Sequence, residues 1–225
     1  MARTRTIQQQ VTESEEEEVA AAGSAPRRVA STKELMTATV RIRGERPLLM
    51  SSPKEVFESS SNKGKTRKAS EGYDDEEEAE KRAYRDEDGD LCVPARCLTA
   101  NLIKAAKLYK TKNKGISFAD MIKGSLFIEP ENPKLLGPNG KPLRDYKISK
   151  ELVVVQRARI VRARPLINAW ELEFQVKWNP KLYGLQADQI HQALNDGGYI
   201  GICDWRPRYG IFSVVDFKVQ KGTGK

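Results

Sequence analysis

Histidine occurs once in the 225 residues, at His191. Without a second one, two-histidine metal sites and paired-histidine acid/base chemistry are excluded. Cysteine is nearly as scarce. Cys92, Cys97 and Cys203 are an odd number and widely spread, which argues against a disulfide framework and for a reducing compartment. Cys92 and Cys97 are separated by four residues and have no partners for a zinc site. No apolar run approaches the ~18 residues that a membrane span requires. The opening MARTRTIQQQVTESEEEE holds no apolar core suited to a secretory signal. A cytoplasmic protein is expected, with no membrane partner.

What the chain has is positive charge, unevenly spread. Residues 1–90 carry 16 Lys+Arg against 20 Asp+Glu, and residues 91–225 carry 23 against 11. The difference is −4 for the first part and +12 for the second, which together give the chain's +8. A basic folded part behind an acidic leader suggests a polyanionic partner. A solvated, merely soluble surface is the competing explanation.

Residues 1–36 mix a Glu run at 15–18 with Ala, Ser and Gly. They are expected to be a disordered acidic leader, because they lack the apolar surface to fold. A domain follows over 37–220, with a short tail at 221–225. Within it, residues 51–82 turn from Ser-rich to Lys-rich to acidic, which predicts a mobile insertion.

The elements of the domain are read from periodicity. Thr39-Val40-Arg41-Ile42-Arg43 alternates strictly and predicts a half-buried strand that Gly44 stops. Asp88-Gly89 centres a tight hairpin. After Pro94, Leu98, Leu102, Ala105, Ala106 and Tyr109 recur at helical spacing, with Lys104, Lys107 and Lys110 outside that stripe. A short helix is expected from Ser117, then a strand around Leu126-Phe127-Ile128. Another small hairpin is expected at Gly137-Pro138-Asn139-Gly140. Residues 152–160 predict a strand paired with residues 170–178, where Trp170, Leu172, Phe174, Val176 and Trp178 alternate with charged or polar residues. A helix over 186–196 is expected to end at Gly197-Gly198, before a last strand over 211–219. With insertions removed, the order is strand, helix, strand, strand, helix, strand. That predicts an α+β ferredoxin-like (βαββαβ) antiparallel sheet with two covering helices, leaving one sheet face free to bind.

Two stretches carry the binding chemistry. In Gln156-Arg157-Ala158-Arg159-Ile160-Val161-Arg162-Ala163-Arg164-Pro165, Arg157 and Arg159 share one face of the strand and Arg162 and Arg164 the other. A bulge near Val161 is needed to align all four. Together with Arg41 and Arg43, they could grip phosphates through forked hydrogen bonds, or pair with acids such as Glu171 and Glu173. In Asp204-Trp205-Arg206-Pro207-Arg208-Tyr209-Gly210, arginines interleaved with aromatics suit base stacking and phosphate contact. Equally, Trp205 closes the core and Asp204 pairs with a nearby arginine. Lys104, Lys107 and Lys110 form either a phosphate-tracking rim or a solvated helix exterior. Catalytic signals are poor. A lone His191 beside Ile190 reads as structural, and Asp86-x-Asp88-Gly-Asp90 lacks the spacing of a calcium loop and its bidentate Glu. No catalytic residue, metal or cofactor is assigned.

The Val40-Arg41-Ile42-Arg43-Gly44 and Pro47-Leu48-Leu49-Met50 segments, the two Arg-Ala-Arg repeats and the Asp204–Gly210 segment resemble a family of uncharacterised phage and prophage proteins. More loosely, the strand–Gly–Pro-Leu-Leu opening and the element order resemble the RAMP superfamily, the RNA-binding backbone subunits of CRISPR effector complexes. The glycine-rich loop that RAMP proteins often carry is approximated only by Gly197-Gly198 and Gly210. The resemblance implies a subunit that coats single-stranded RNA, as a homo-oligomer or within a ribonucleoprotein, in a bacterial host cytoplasm if phage-encoded. Three functions are thus carried forward: a sequence-tolerant binder of single-stranded RNA or DNA, an interaction protein that mimics a RAMP subunit and binds or blocks a complex, and a metal-independent nuclease that would need His191 or a Tyr/Lys set in a groove.

Overall fold

A computed structural model describes residues 35–53, 74–110, 112–113, 115–155 and 158–220. The expected leader (except residues 35 and 36), the tail and most of the expected insertion lie outside the described residues. Along the chain run β1 (Met36–Gly44), β2 (Leu48–Leu49), α1 (Asp75–Arg82), α2 (Ala95–Ala106), β3 (Lys112–Asn113), β4 (Ile116–Ser117), α3 (Phe118–Ser125), β5 (Leu126–Glu129), β6 (Leu135–Leu136), β7 (Lys147–Val155), β8 (Ala158–Ile167), β9 (Glu171–Trp178), α4 (Pro180–Tyr183), α5 (Ala187–Ile200) and β10 (Phe212–Gln220). This is a mixed α+β protein with antiparallel sheets.

The main sheet has strand order β10-β1-β9-β5, with β6 also bonded to β9, and every pairing is antiparallel. Alternation decides its two faces. Ala38, Val40 and Ile42 of β1 and Leu172, Phe174, Val176 and Trp178 of β9 are buried on one face. Each large side chain buried this way contributes roughly 1.5–3 kcal/mol. Helix α2 starts after Pro94 and buries Leu98, Leu102, Ala105 and Ala106, as the spacing predicts. It packs on α3, α5 and β5, and α5 packs on β10. Ser117 caps α3 by accepting from the Asp120 N–H at 3.2 Å.

Helix α5 does not end at Gly197-Gly198. It runs through both to Ile200. These glycines serve close approach instead: a Cβ at Gly197 would sit 2.1 Å from Asn101 Oδ1, and one at Gly198 2.3 Å from the Phe212 carbonyl. Asn101, buried on α2, donates to the Gly197 and Gly201 carbonyls at 2.9 and 2.7 Å, which locks α2 to the end of α5.

Two further expectations are corrected. Residues 152–160 are not one strand beside β9. Residues 152–155 belong to β7 and residues 158–160 to β8, which pair with each other from Lys147↔Leu166 to Val155↔Ala158. Because β1 and β5 already occupy both edges of β9, β8 finds β7 and β2 instead, in a second sheet of order β2-β8-β7. And within 51–82, residues 75–82 form α1 rather than a mobile stretch. Asp74 caps this helix, its acidic first turn suits the positive end of the helix dipole, and Ala79 buries against the hairpin side of the molecule. The remaining local signals hold. Arg85 bridges Leu91 across Asp88-Gly89, and Gly140 N–H reaches the Gly137 carbonyl at 2.9 Å.

Candidate nucleic-acid interface

The outer face of the main sheet, expected to be free for binding, is filled with ion pairs. Arg41 and Arg43 converge on one carboxylate: Arg41 Nε donates to Glu171 Oε2 at 2.9 Å and Arg43 Nε to Oε1 at 2.7 Å. Their hydrogen bonds hold the Glu171 carboxyl below its ordinary range, and Glu171 is only 5% exposed. Lys177 pairs with Glu129, and Lys218 with Asp216. The shallow depression on this face is lined by Thr39, Glu129, Pro130, Glu173, Phe174 and Gln175, a set that contains acids and no base. Phosphates would meet little net attraction here.

A different arrangement surrounds the loop of residues 201–210. Its ends are joined by Ile202 N–H to the Gly210 carbonyl at 3.0 Å. Gly210 has φ +74, and a Cβ there would come within 2.1 Å of the Ile202 carbonyl. Only glycine fits that position. The loop is then tied to the β2 segment by Gly210 N–H to the Pro47 carbonyl (2.9 Å) and Asp204 N–H to the Leu49 carbonyl (3.1 Å). Cys203 and Trp205 are both held at positive φ, 61° and 48°. Such strain persists only where surrounding contacts enforce it.

Those contacts come from the second sheet. Arg164 on β8, 6% exposed, donates to Asp204 Oδ2 at 2.8 Å, and its guanidinium lies 4.7 Å over the Trp205 ring. Tyr209 donates to Glu151 Oε1 on β7 at 3.0 Å, and Glu151 also stands 3.9 Å from Arg208, which packs over the Tyr209 ring. Trp205 and Tyr209 are half-buried, whereas Arg206 and Arg208 are exposed. Trp205 therefore does not close the core. Arg206 makes no ion pair among the described residues.

The structure thus brings Arg164, Trp205, Arg206, Arg208 and Tyr209 into one surface. Arg162 reaches Glu78 on α1 at 3.6 Å, where Glu78 is already paired with the buried Arg82 at 2.8 Å. Arg157 and the side chain of Arg159 lie outside the described residues. The bulge needed to align the two arginine pairs is absent, since the β7–β8 register runs without a shift. Arg41 and Arg43 belong to the other sheet's outer face. Lys104, Lys107 and Lys110 are exposed off the buried stripe of α2 and around its end. His191 stacks flat on Phe217 of β10, with centroids 4.7 Å apart.

Sequence reasoning named Glu171 and Asp204 as alternative partners for these arginines and missed Glu151, which reaches Tyr209 and Arg208, and Glu78, which reaches Arg82 and Arg162. The carboxylates of Asp86, Asp88 and Asp90 are the one cluster of metal-ligating groups among the described residues. The Lys134 ammonium sits among them, 2.6 Å from Asp88 and 2.8 Å from Asp90, and Arg144 approaches Asp90 at 2.6 Å. These bonds hold Asp90 below the usual carboxylate range. Lys134 and Arg144 thus offset most of the charge of the three carboxylates.

Comparison with known proteins adds little constraint. No family model and no curated protein matches the chain, so the resemblance to phage proteins finds no support there. Among solved structures, the chain is similar to one in the cryo-EM structure of the Type III-B Cmr-beta complex bound to cognate target RNA. The identity is 9% and the TM-score 0.49, over 99% of this chain and 69% of that one. At that level the likeness decides neither family nor role. No helix among the described residues is long and apolar enough to cross a membrane.

Proposed function

We propose that this chain is a cytoplasmic, sequence-tolerant single-stranded nucleic-acid binder, not an enzyme, whose contact surface is the 201–210 loop backed by β8. One observation carries the reading: Arg164 is buried under Trp205 and salt-bridged to Asp204, which fixes an aromatic–arginine loop in a strained shape facing outward. The two half-buried rings offer stacking surfaces, and exposed Arg206 and Arg208 offer phosphate contacts. The scaffold reading is ferredoxin-like. Its support is the order β10-β1-β9-β5 with α2 and α5 as the intervening helices, the 4-1-3-2 arrangement of a split βαβ unit. A RAMP-like subunit that repeats along RNA is the more specific form.

Fluorescence anisotropy with labelled single-stranded RNA and DNA at two salt concentrations tests the reading. Binding that weakens steeply with salt is expected. No binding at low salt would sink it. Titrating oligonucleotides of increasing length tests the repeating form, through the number of copies bound.

A second reading, a protein that docks on and blocks a larger complex, is favoured by the β7–β8 hairpin. Leu152 and Val154 are 68% and 70% exposed there and Val161 is 45% exposed. Exposed apolar patches mark interaction sites. Partners retained after nuclease treatment in a pull-down would favour this reading over the first.

A further inference from the structure

The two edges of the main sheet are finished differently. At one, β5 is four residues long. At the other, β10 runs for nine residues without a proline, and among the described residues it has a neighbour on one side only, β1. Every second residue of such a strand turns its backbone N–H and C=O outward, where another strand can pair with them. Edges of this kind are commonly blunted by charge or by a bulge. β10 carries both, and their positions decide what it can accept.

Its register with β1 fixes which way the side chains point. Phe217 lies opposite the buried Val40 on the helix-covered face, where the His191 ring of α5 stacks on it. Asp216 and Lys218 lie opposite Arg41 and Thr39 on the outer face and form an ion pair with each other. Val215 and Val219 are 46% and 40% exposed. The one register shift leaves Val215 without a partner on β1, so a regular ribbon along this edge ends there.

A strand added through a two-fold axis normal to the sheet runs antiparallel and keeps both helix layers on one face. Each residue then meets one of its own parity, so the axis passes beside a single residue of β10. Centred on Asp216, it sets two carboxylates opposite each other. Centred on Lys218, it does the same with two ammonium groups. Both arrangements repel. Centred on Phe217, it sets Asp216 opposite the partner's Lys218 twice over, and Val215 opposite the partner's Val219 at both ends. Of the registers open to β10, this one matches charge with opposite charge and apolar with apolar.

We propose that the β10 edge is a self-association surface, whose partner is a second copy of this chain in the register centred on Phe217. Asp216 and Lys218 repel a shifted or parallel copy and so select this pairing. The ribbon uses residues 215–219 of each copy, at the low end of interface sizes, so the dimer is weak and forms as concentration rises. Phe212, where β10 leaves the 201–210 loop, stands five residues from the axis. The two loops therefore lie at opposite ends of the ribbon, offset by about 34 Å over ten strand residues. One single strand lying across both loops is a consequence that rests on the binding reading, whereas the association itself does not.

Sedimentation of the full chain without nucleic acid, over a concentration series, tests the association apart from that reading. The parent should pass from monomer to dimer. Lys218→Asp should stay monomeric, and so should Asp216→Lys, because each sets like charges opposite each other. The double exchange D216K/K218D puts opposite charges back in the same register and should restore the dimer. Urea unfolding of each variant checks that it is folded. Amide hydrogen exchange of the unmodified chain needs no variant: peptides covering residues 215–219 should exchange more slowly as concentration rises. A parent that is monomeric up to its solubility limit, or a dimer that Lys218→Asp leaves intact, would overturn the proposal. So would β10 amides equally protected at every concentration, which would mean that another segment of this chain covers the edge.

Discussion

Two regions of this molecule hold arginines beside carboxylates, and they use them in opposite ways. On the outer face of the main sheet, Glu171 lies between Arg41 and Arg43 and takes a hydrogen bond from each. Both guanidinia are committed to that one carboxylate, although Arg41 and Arg43 stay 42% and 56% exposed, and Glu173 and Asp216 lie near Arg41 as further acids. At the 201–210 loop, Asp204 takes one arginine from below, Arg164, and that arginine supports a tryptophan ring from beneath. The charge that remains, on Arg206 and Arg208, faces solvent. A count of arginines is thus a poor guide to phosphate binding. The position of the nearest carboxylate decides.

The largest effect should come from Arg164→Ala. It strands Asp204, strips the underside of Trp205 and opens a gap against β8. Breaking a fully buried pair costs about 3–5 kcal/mol. Because Asp204 is itself a third exposed, we expect about 2 kcal/mol in urea unfolding, together with more than a tenfold loss of oligonucleotide affinity. Arg164→Lys should recover part of the stability and little of the affinity, since an ammonium cannot stack as a planar guanidinium does.

Trp205→Ala should separate binding from folding. A stacked base is worth roughly 1–3 kcal/mol, so affinity should drop about tenfold to a hundredfold by anisotropy. The loss of unfolding free energy should be smaller than for Arg164→Ala, because only a cation–π contact of about 1 kcal/mol is removed. An affinity unchanged by Trp205→Ala would break the distinction between the two regions.

Arg206→Ala and Arg43→Ala compare the regions directly. Arg206 is exposed and without an ion pair among the described residues, so its loss should weaken binding evenly across sequences and lower the salt slope by about one. Arg43 is committed to Glu171, and its loss should leave both affinity and slope where they are. Equal effects from the two variants would mean that the outer sheet face binds after all.

Much of the scaffold was legible because its signals are local. The alternation of β1 and β9, the stripe of α2 and the cap at Ser117 each depend on near neighbours. What the sequence left open depends on partners far along the chain. Arg164 and Asp204 are 40 residues apart, and Arg41 and Glu171 130 apart. Val153 and Ile160 belong to different strands because β9 has both edges filled, which no local pattern reveals. Gly197-Gly198 reads as a helix stop, but the residues that require two glycines are Asn101 and Phe212. The loop's Trp, Arg and Tyr were visible as a motif. Which of its charges face outward was not.

The smallest effect, and the one that most sharpens the comparison, concerns Glu171→Gln. This substitution removes the charge that occupies Arg41 and Arg43 and leaves both guanidinia on an open sheet face. Weak salt-sensitive affinity should appear there, raising the salt slope by about one to two even when Trp205→Ala has silenced the loop. Stability should change in a pH-dependent way. The carboxyl of Glu171 is held below its ordinary 4.5 in the fold by Arg41 and Arg43, so the unfolded chain binds its proton more readily. The stabilisation it provides is complete above about 4.5 and is lost as pH falls through the lower folded value. Acid titration of the parent should show that decline, and Glu171→Gln should flatten it while starting from a lower stability at neutral pH. If the variant gains no affinity, then the arginines of β1 are withheld from nucleic acid by the shape of the sheet face and not by their partner carboxylate.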